Sequence, residues 1–103
     1  MRILIKASIP TEIGNAKVKD GSLGGDIQKI MAEQKPETAY FIEENGQRTA
    51  IMVVNITNSD EIPKFAEPWF LAFNAEIEFH PAMAPEDLAK AAPAIAAAAK
   101  SYG

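Results

Sequence analysis

Thr38 to Thr57, TAYFIEENGQRTAIMVVNIT, is two β-rich apolar runs joined by Asn45-Gly46. A two-residue type I′ turn needs φ > 0 at both central positions, which Asn and Gly tolerate, so the dipeptide marks a tight hairpin. With the turn placed there, Glu44 faces Gln47, Glu43 faces Arg48, Phe41 faces Ala50, Tyr40 faces Ile51 and Ala39 faces Met52. Opposite charges at Glu43 and Arg48 then stand in cross-strand contact, worth roughly 0.2–1 kcal/mol.

In this register Ala39, Phe41, Ala50, Met52 and Val54 share one face, and Tyr40, Ile42, Thr49, Ile51 and Val53 share the other. Both faces are apolar, whereas an antiparallel sheet with one wet face alternates apolar and polar. The hairpin therefore expects cover on both sides. Helices supply one cover, and a second copy of the same sheet supplies the other most simply, which predicts a homodimer through sheet faces. The alternative is a monomer whose C-terminal helix folds over the second face.

Working outward, Arg2 to Ile9 alternates, with Ile3, Ile5, Ala7 and Ile9 on one face, and ends at Pro10. Between Asn15 and Gln34 the residues Leu23, Ile27, Ile30 and Met31 stand at helical spacing before Pro36, and Gly21, Gly24 and Gly25 predict a break in the first half. Asn58 to Glu61 opens a second helix with the stripe Ile62, Phe65, Ala66, Trp69 and Phe73, and Pro68 inside it predicts a kink or restart. Ala75 to His80 alternates as a fourth strand closed by Pro81. An alanine-rich helix from Pro85 to about Ser101 follows, interrupted by Pro93, with Leu88, Ile95 and Tyr102 to anchor it.

The order βαββαβ is the split βαβ pattern, an α+β, ferredoxin-like fold with a four-stranded antiparallel sheet and an added C-terminal helix. Residues 1–103 form one domain, without repeats or a linker long enough to divide it. The first strand is expected at the centre, flanked by the third in parallel and the fourth antiparallel. Both helices are expected on one face, leaving the other open.

A chain of 103 residues buries roughly two thirds of the surface its unfolded form exposes. It has no cysteine, which removes disulfides and thiol chemistry and fits a reducing, cytoplasmic compartment. The apolar run Ile3-Leu4-Ile5 is too short for a signal peptide or a membrane span. Fourteen carboxylates against ten basic residues give a net charge of −4, which disfavours nucleic acid as a partner.

Glu76, Glu78 and His80 form a polar row on the fourth strand. Beside it the first strand presents Arg2, Leu4 and Lys6, so Lys6 is expected near Glu76 or Glu78, and Arg2 towards His80. Imidazole exchanges protons near neutral pH and, beside a carboxylate, serves as a general base. His80, Glu78 and Lys6 are therefore the candidate catalytic residues, and Tyr40, Ile51 and Trp69 the candidate ligand-binding ones. The same row equally suits a charged edge strand that resists aggregation. One histidine builds no multi-histidine metal site, so neither a metal nor a cofactor is expected. Residues 21–26, GSLGGD, lack the lysine-hydroxyl ending of a phosphate loop and read as a helix break.

The hairpin segment ENGQR with AIMVVNI, the segment AEPWF and the strand end EFHP together resemble a family of small bacterial proteins of uncharacterised function. That family is similar in layout to the dimeric α/β-barrel superfamily, which includes muconolactone isomerases, antibiotic-biosynthesis-type monooxygenases and stress-responsive barrel proteins. The resemblance implies two sheets packed across a dimer and, in many members, a small-molecule pocket between sheet and helices; no catalytic set is matched residue by residue. The expectation is a homodimer that binds a small organic molecule between sheet and cover, as a metal-free isomerase- or monooxygenase-like enzyme. The alternative is a non-catalytic dimeric interaction or scaffold protein.

Overall fold

The computed structural model describes residues 1–103. Its strands are β1 (Arg2–Ile9), β2 (Thr38–Glu44), β3 (Gln47–Asn55) and β4 (Glu76–Pro81), and its helices α1 (Thr11–Asp20), α2 (Leu23–Gln34), α3 (Ile62–Phe73), α4 (Pro85–Lys90) and α5 (Ala92–Tyr102). The strands form one sheet in the order β2-β3-β1-β4, the ferredoxin-like arrangement.

Every neighbouring pair is antiparallel, including β1 with β3, which corrects the parallel pairing expected from the sequence. The reason is topological. The helical crossover returns the chain so that β2 runs parallel to β1, and the hairpin reverses it, so β3, inserted between them, opposes both. Within the hairpin the expected register is observed from Ala39↔Met52 to Glu44↔Gln47. Asn45 (φ 53°) and Gly46 (φ 77°) both occupy the left-handed region.

Glu43 and Arg48 are opposite each other but do not pair. The Glu43 carboxylate accepts the Gly46 N–H at 3.1 Å, while Arg48 Nη1 donates to Asn15 Oδ1 of α1 at 3.0 Å. Charge across the hairpin thus closes the turn and ties the strand to a helix, rather than linking the two strands.

The helical stretch expected from Asn15 begins earlier, at Thr11 directly after Pro10, and divides at Gly21, whose φ of 83° ends α1. A single layer of α1, α2 and α3 covers the face of the sheet that carries Ile3, Ile5, Ala7, Ile9, Ala50, Met52 and Val54. Against these pack Ile30 from α2 and Phe65, Trp69 and Phe73 from α3. Ile62, at the exposed start of the α3 stripe, remains 41% accessible.

Pro68 does not restart α3, which runs unbroken from Ile62 to Phe73. A proline removes the N–H that would bond the carbonyl four residues earlier, here that of Lys64. The buried Gln34 amide takes over. Its Nε2 donates to Phe65 O at 3.1 Å and to Lys64 O at 3.5 Å, and its Oε1 accepts Trp69 Nε1–H at 3.3 Å. One side chain from α2 therefore satisfies both the broken turn of α3 and the indole of the fully buried Trp69.

The opposite face of the sheet has no helix over it. Tyr40 is 66% and Ile42 40% exposed there, with Leu4, Ile51 and Val53 half-buried between strands. The C-terminal helical segment does not fold back to cover this face. It breaks between Lys90 and Ala92 with Pro93 in the first turn of α5, and no residue of α4 or α5 is buried. Leu88, Ile95 and Tyr102 stand open to solvent along it, and the chain measures 58 × 27 × 20 Å.

Candidate functional site

Alternation along each strand and the register across strands place the candidate residues on the open face. Tyr40 of β2 opposes Ile51 of β3, Ile51 opposes Lys6 of β1, and Lys6 opposes Glu78 of β4. These four residues form one row across all four strands, about 14 Å long at the usual strand spacing. His80 lies in the adjacent row, opposite Leu4 and then Val53. Arg2, expected near His80, instead forms a forked pair with Glu37, Nε to Oε2 at 3.0 Å and Nη2 to Oε1 at 3.1 Å. By register Leu4, not Arg2, is the partner of His80, and Arg2, two residues nearer the start of β1, is engaged by Glu37.

Two polar contacts set the chemistry of the face. His80 Nε2 stands 3.2 Å from Glu78 Oε1, two residues back on the same strand face, with both side chains more than half exposed. A carboxylate at this distance can accept the ring Nε2–H and so orient the imidazole. Lys6, although opposite Glu78, reaches across β3 to pair with Glu44. The hydrogen bond and charge of Glu44, assisted by the charge of Glu78, hold the Lys6 ammonium above the ordinary lysine range. Lys6 is thereby fixed as a cation near neutral pH, able to neutralise an anionic group but not to accept a proton.

Trp69 does not join this group. It points from α3 into the core on the helix side of the sheet. The site residues are thus divided by the sheet: Tyr40, Ile51, Lys6, Glu78 and His80 on the open side, Trp69 on the covered side.

None of the concavities of the single chain is lined by Lys6, Tyr40, Ile51, Glu78 or His80. The largest, of about 550 Å³, lies at the end of the sheet between Arg2, Asn55, Pro81 and Asp87. Another, of about 260 Å³, opens on the helix side between α2 and β2, lined by Leu23, Ile27, Phe41, Ala50 and Trp69 with Arg48 at its polar side. The sequence reading missed this cleft and Arg48. The available signal was Phe41, an aromatic on the core face of an edge strand beyond the reach of most core partners. No group of three or more histidine, aspartate or glutamate side chains gathers to form a metal centre. No helix is long and apolar enough to cross a membrane.

No protein-family model matches the chain, and no curated protein matches it. Among solved structures it is similar to a de novo designed protein named Ferredog-Diesel, at 9% identity and a TM-score of 0.45, over 79% of this chain and 85% of that one. The ferredoxin-like fold rests on the strand order and helix placement given above.

Proposed function

We propose that this chain acts in the cytoplasm as a homodimer that closes its open sheet face against a second copy and binds a small organic molecule there. The observation that carries the reading is the uncovered face itself: an apolar middle of Leu4, Tyr40, Ile42, Ile51 and Val53, bordered by the His80–Glu78 pair and the Lys6 cation. Two such faces stacked at the usual distance of about 10 Å enclose these groups between sheets. Desolvation there would strengthen every charge interaction. In this arrangement His80 moves a proton with Glu78 as its partner, Lys6 balances an anionic substituent, and Tyr40 and Ile51 bear on the apolar body. Proton transfer of the isomerase type needs no more than these groups.

A second reading, a dimeric interaction protein without catalysis, is favoured by the absence of His80, Glu78 and Lys6 from every cavity of the single chain. Native mass spectrometry of gently purified protein separates the two. A dimer carrying added mass that is lost in His80→Ala supports the binding reading. A bare dimer supports the interaction reading, and a monomer at micromolar concentration overturns both.

A further inference from the structure

The cleft between α2 and β2 opens on the helix side of the sheet, the side opposite the uncovered face. Its volume of about 260 Å³ is the room of about nine waters at about 30 Å³ each. Leu23 and Ile27 of α2 form one wall, Phe41 of β2 overhangs the other, and Ile9, Ala50 and Trp69 lie beneath. Phe41 is 57% exposed although it sits on the core side of the strand. Apolar surface left open in this way gains about 25 cal/mol per Å² when a ligand removes it from water.

The polar element is Arg48. Its Nη1 donates to Asn15 Oδ1, and its other guanidinium N–H groups have no partner in the protein. No carboxylate lies within ion-pair reach, because Glu43, the residue opposite, is engaged by the Gly46 amide. The backbone of α1 passes close by at Gly14, where a Cβ would stand 2.7 Å from Arg48 Nη1. The guanidinium is thus held in place beside an apolar cleft with its charge unmatched. A planar fork with free N–H groups matches a carboxylate in two-point contact. Arg48 is the one cationic side chain among the residues that line the cleft, which suits a monoanion.

We propose that this cleft binds a small amphipathic carboxylate, its apolar body between α2 and Phe41 and its carboxylate on Arg48. Octanoate is the probe, with 1-octanol as its uncharged counterpart, and the emission of Trp69, the chain's one tryptophan, is the signal. Octanoate is expected to change that emission saturably. Arg48→Met should weaken octanoate by about tenfold or more while changing octanol by less than about twofold, the difference expected for one charge-assisted contact. Ile27→Phe, which fills the cleft without touching Arg48, should abolish both, and Ile95→Thr on the projecting α5, outside both sites, should alter neither. The proposal is overturned if octanoate gives no saturable change, if Arg48→Met leaves the octanoate-to-octanol ratio as it was, or if Ile27→Phe still binds. Should Arg48→Met fail to fold, Arg48→Gln gives the same decision, since it removes the charge while keeping a polar side chain that can still donate to Asn15.

Discussion

Replacing Gln34 by leucine isolates the polar link between α2 and α3. The two side chains are close in volume, so little cavity is created and packing is nearly conserved. What is lost is the acceptor for Trp69 Nε1–H and the donor to the Phe65 and Lys64 carbonyls. Leaving a buried donor unpaired costs about 1–3 kcal/mol, and the carbonyls add a similar but smaller amount because each has a second lone pair. Leucine recovers about 1 kcal/mol through its more favourable burial. The net is a destabilisation of about 2 kcal/mol, or a fall in Tm of about 10–15 °C for a domain of this size. Urea and thermal unfolding followed by circular dichroism measure it. Pro68→Ala restores an N–H for the Lys64 carbonyl, so it should be more stabilising in the Gln34→Leu background than in the wild type, by about 0.5–1 kcal/mol. A Gln34→Leu protein within about 0.5 kcal/mol of wild type would refute the assignment of the amide as the group that makes Pro68 tolerable.

Gly46 has φ 77° and open space where a Cβ would stand, so Gly46→Ala is expected to cost about 1 kcal/mol through backbone conformation alone, read from the urea midpoint. Removing residues 85–103 takes away no buried residue, and the unfolding free energy of the isolated chain should change by less than about 1 kcal/mol. The Asn58 and Thr57 amides hold the Glu61 carboxyl below the ordinary range, and the Arg2 guanidinium, by hydrogen bond and then charge, does the same for Glu37. Because these folded-state values are lowered, their stabilisation is present above the unfolded carboxylate range and is lost as pH falls through the folded values. Unfolding midpoints should therefore drop from about pH 5 downward, and Glu61→Gln should flatten that part of the profile.

Local chemistry was the legible part of the fold. Asn45-Gly46 specifies a turn by its own backbone preferences, and once the turn is placed the pairing of Tyr40 with Ile51 follows by counting. Alternation in residues 2–9 and 76–80 then brought Lys6 and Glu78 to neighbouring strands. Errors arose where a side chain had a choice of partners. Charge alone pairs Glu43 with Arg48, but the start of α1 at Thr11 brings Asn15 within reach of the guanidinium and frees Glu43 for the turn. Likewise Lys6 takes Glu44 across β3 instead of Glu78 beside it. Pro68 breaks a local rule, and its remedy lies 34 positions earlier, in Gln34, beyond any window of local pattern. The open face was legible as an apolar surface, whereas its cover is not encoded by any stretch that contacts it within the chain.

The projecting α4–α5 segment also governs how the molecule moves through solution. The radius of gyration is 17.1 Å, against about 13 Å for a compact domain of this length. Friction rises with such elongation, so a single chain travels through a gel-filtration column as a larger globular protein does. Its elution position overstates its mass and can pass for a compact dimer. Counting copies therefore calls for light scattering or sedimentation equilibrium, in which shape does not enter the mass, and removal of residues 85–103 should shift elution by more than the lost mass predicts.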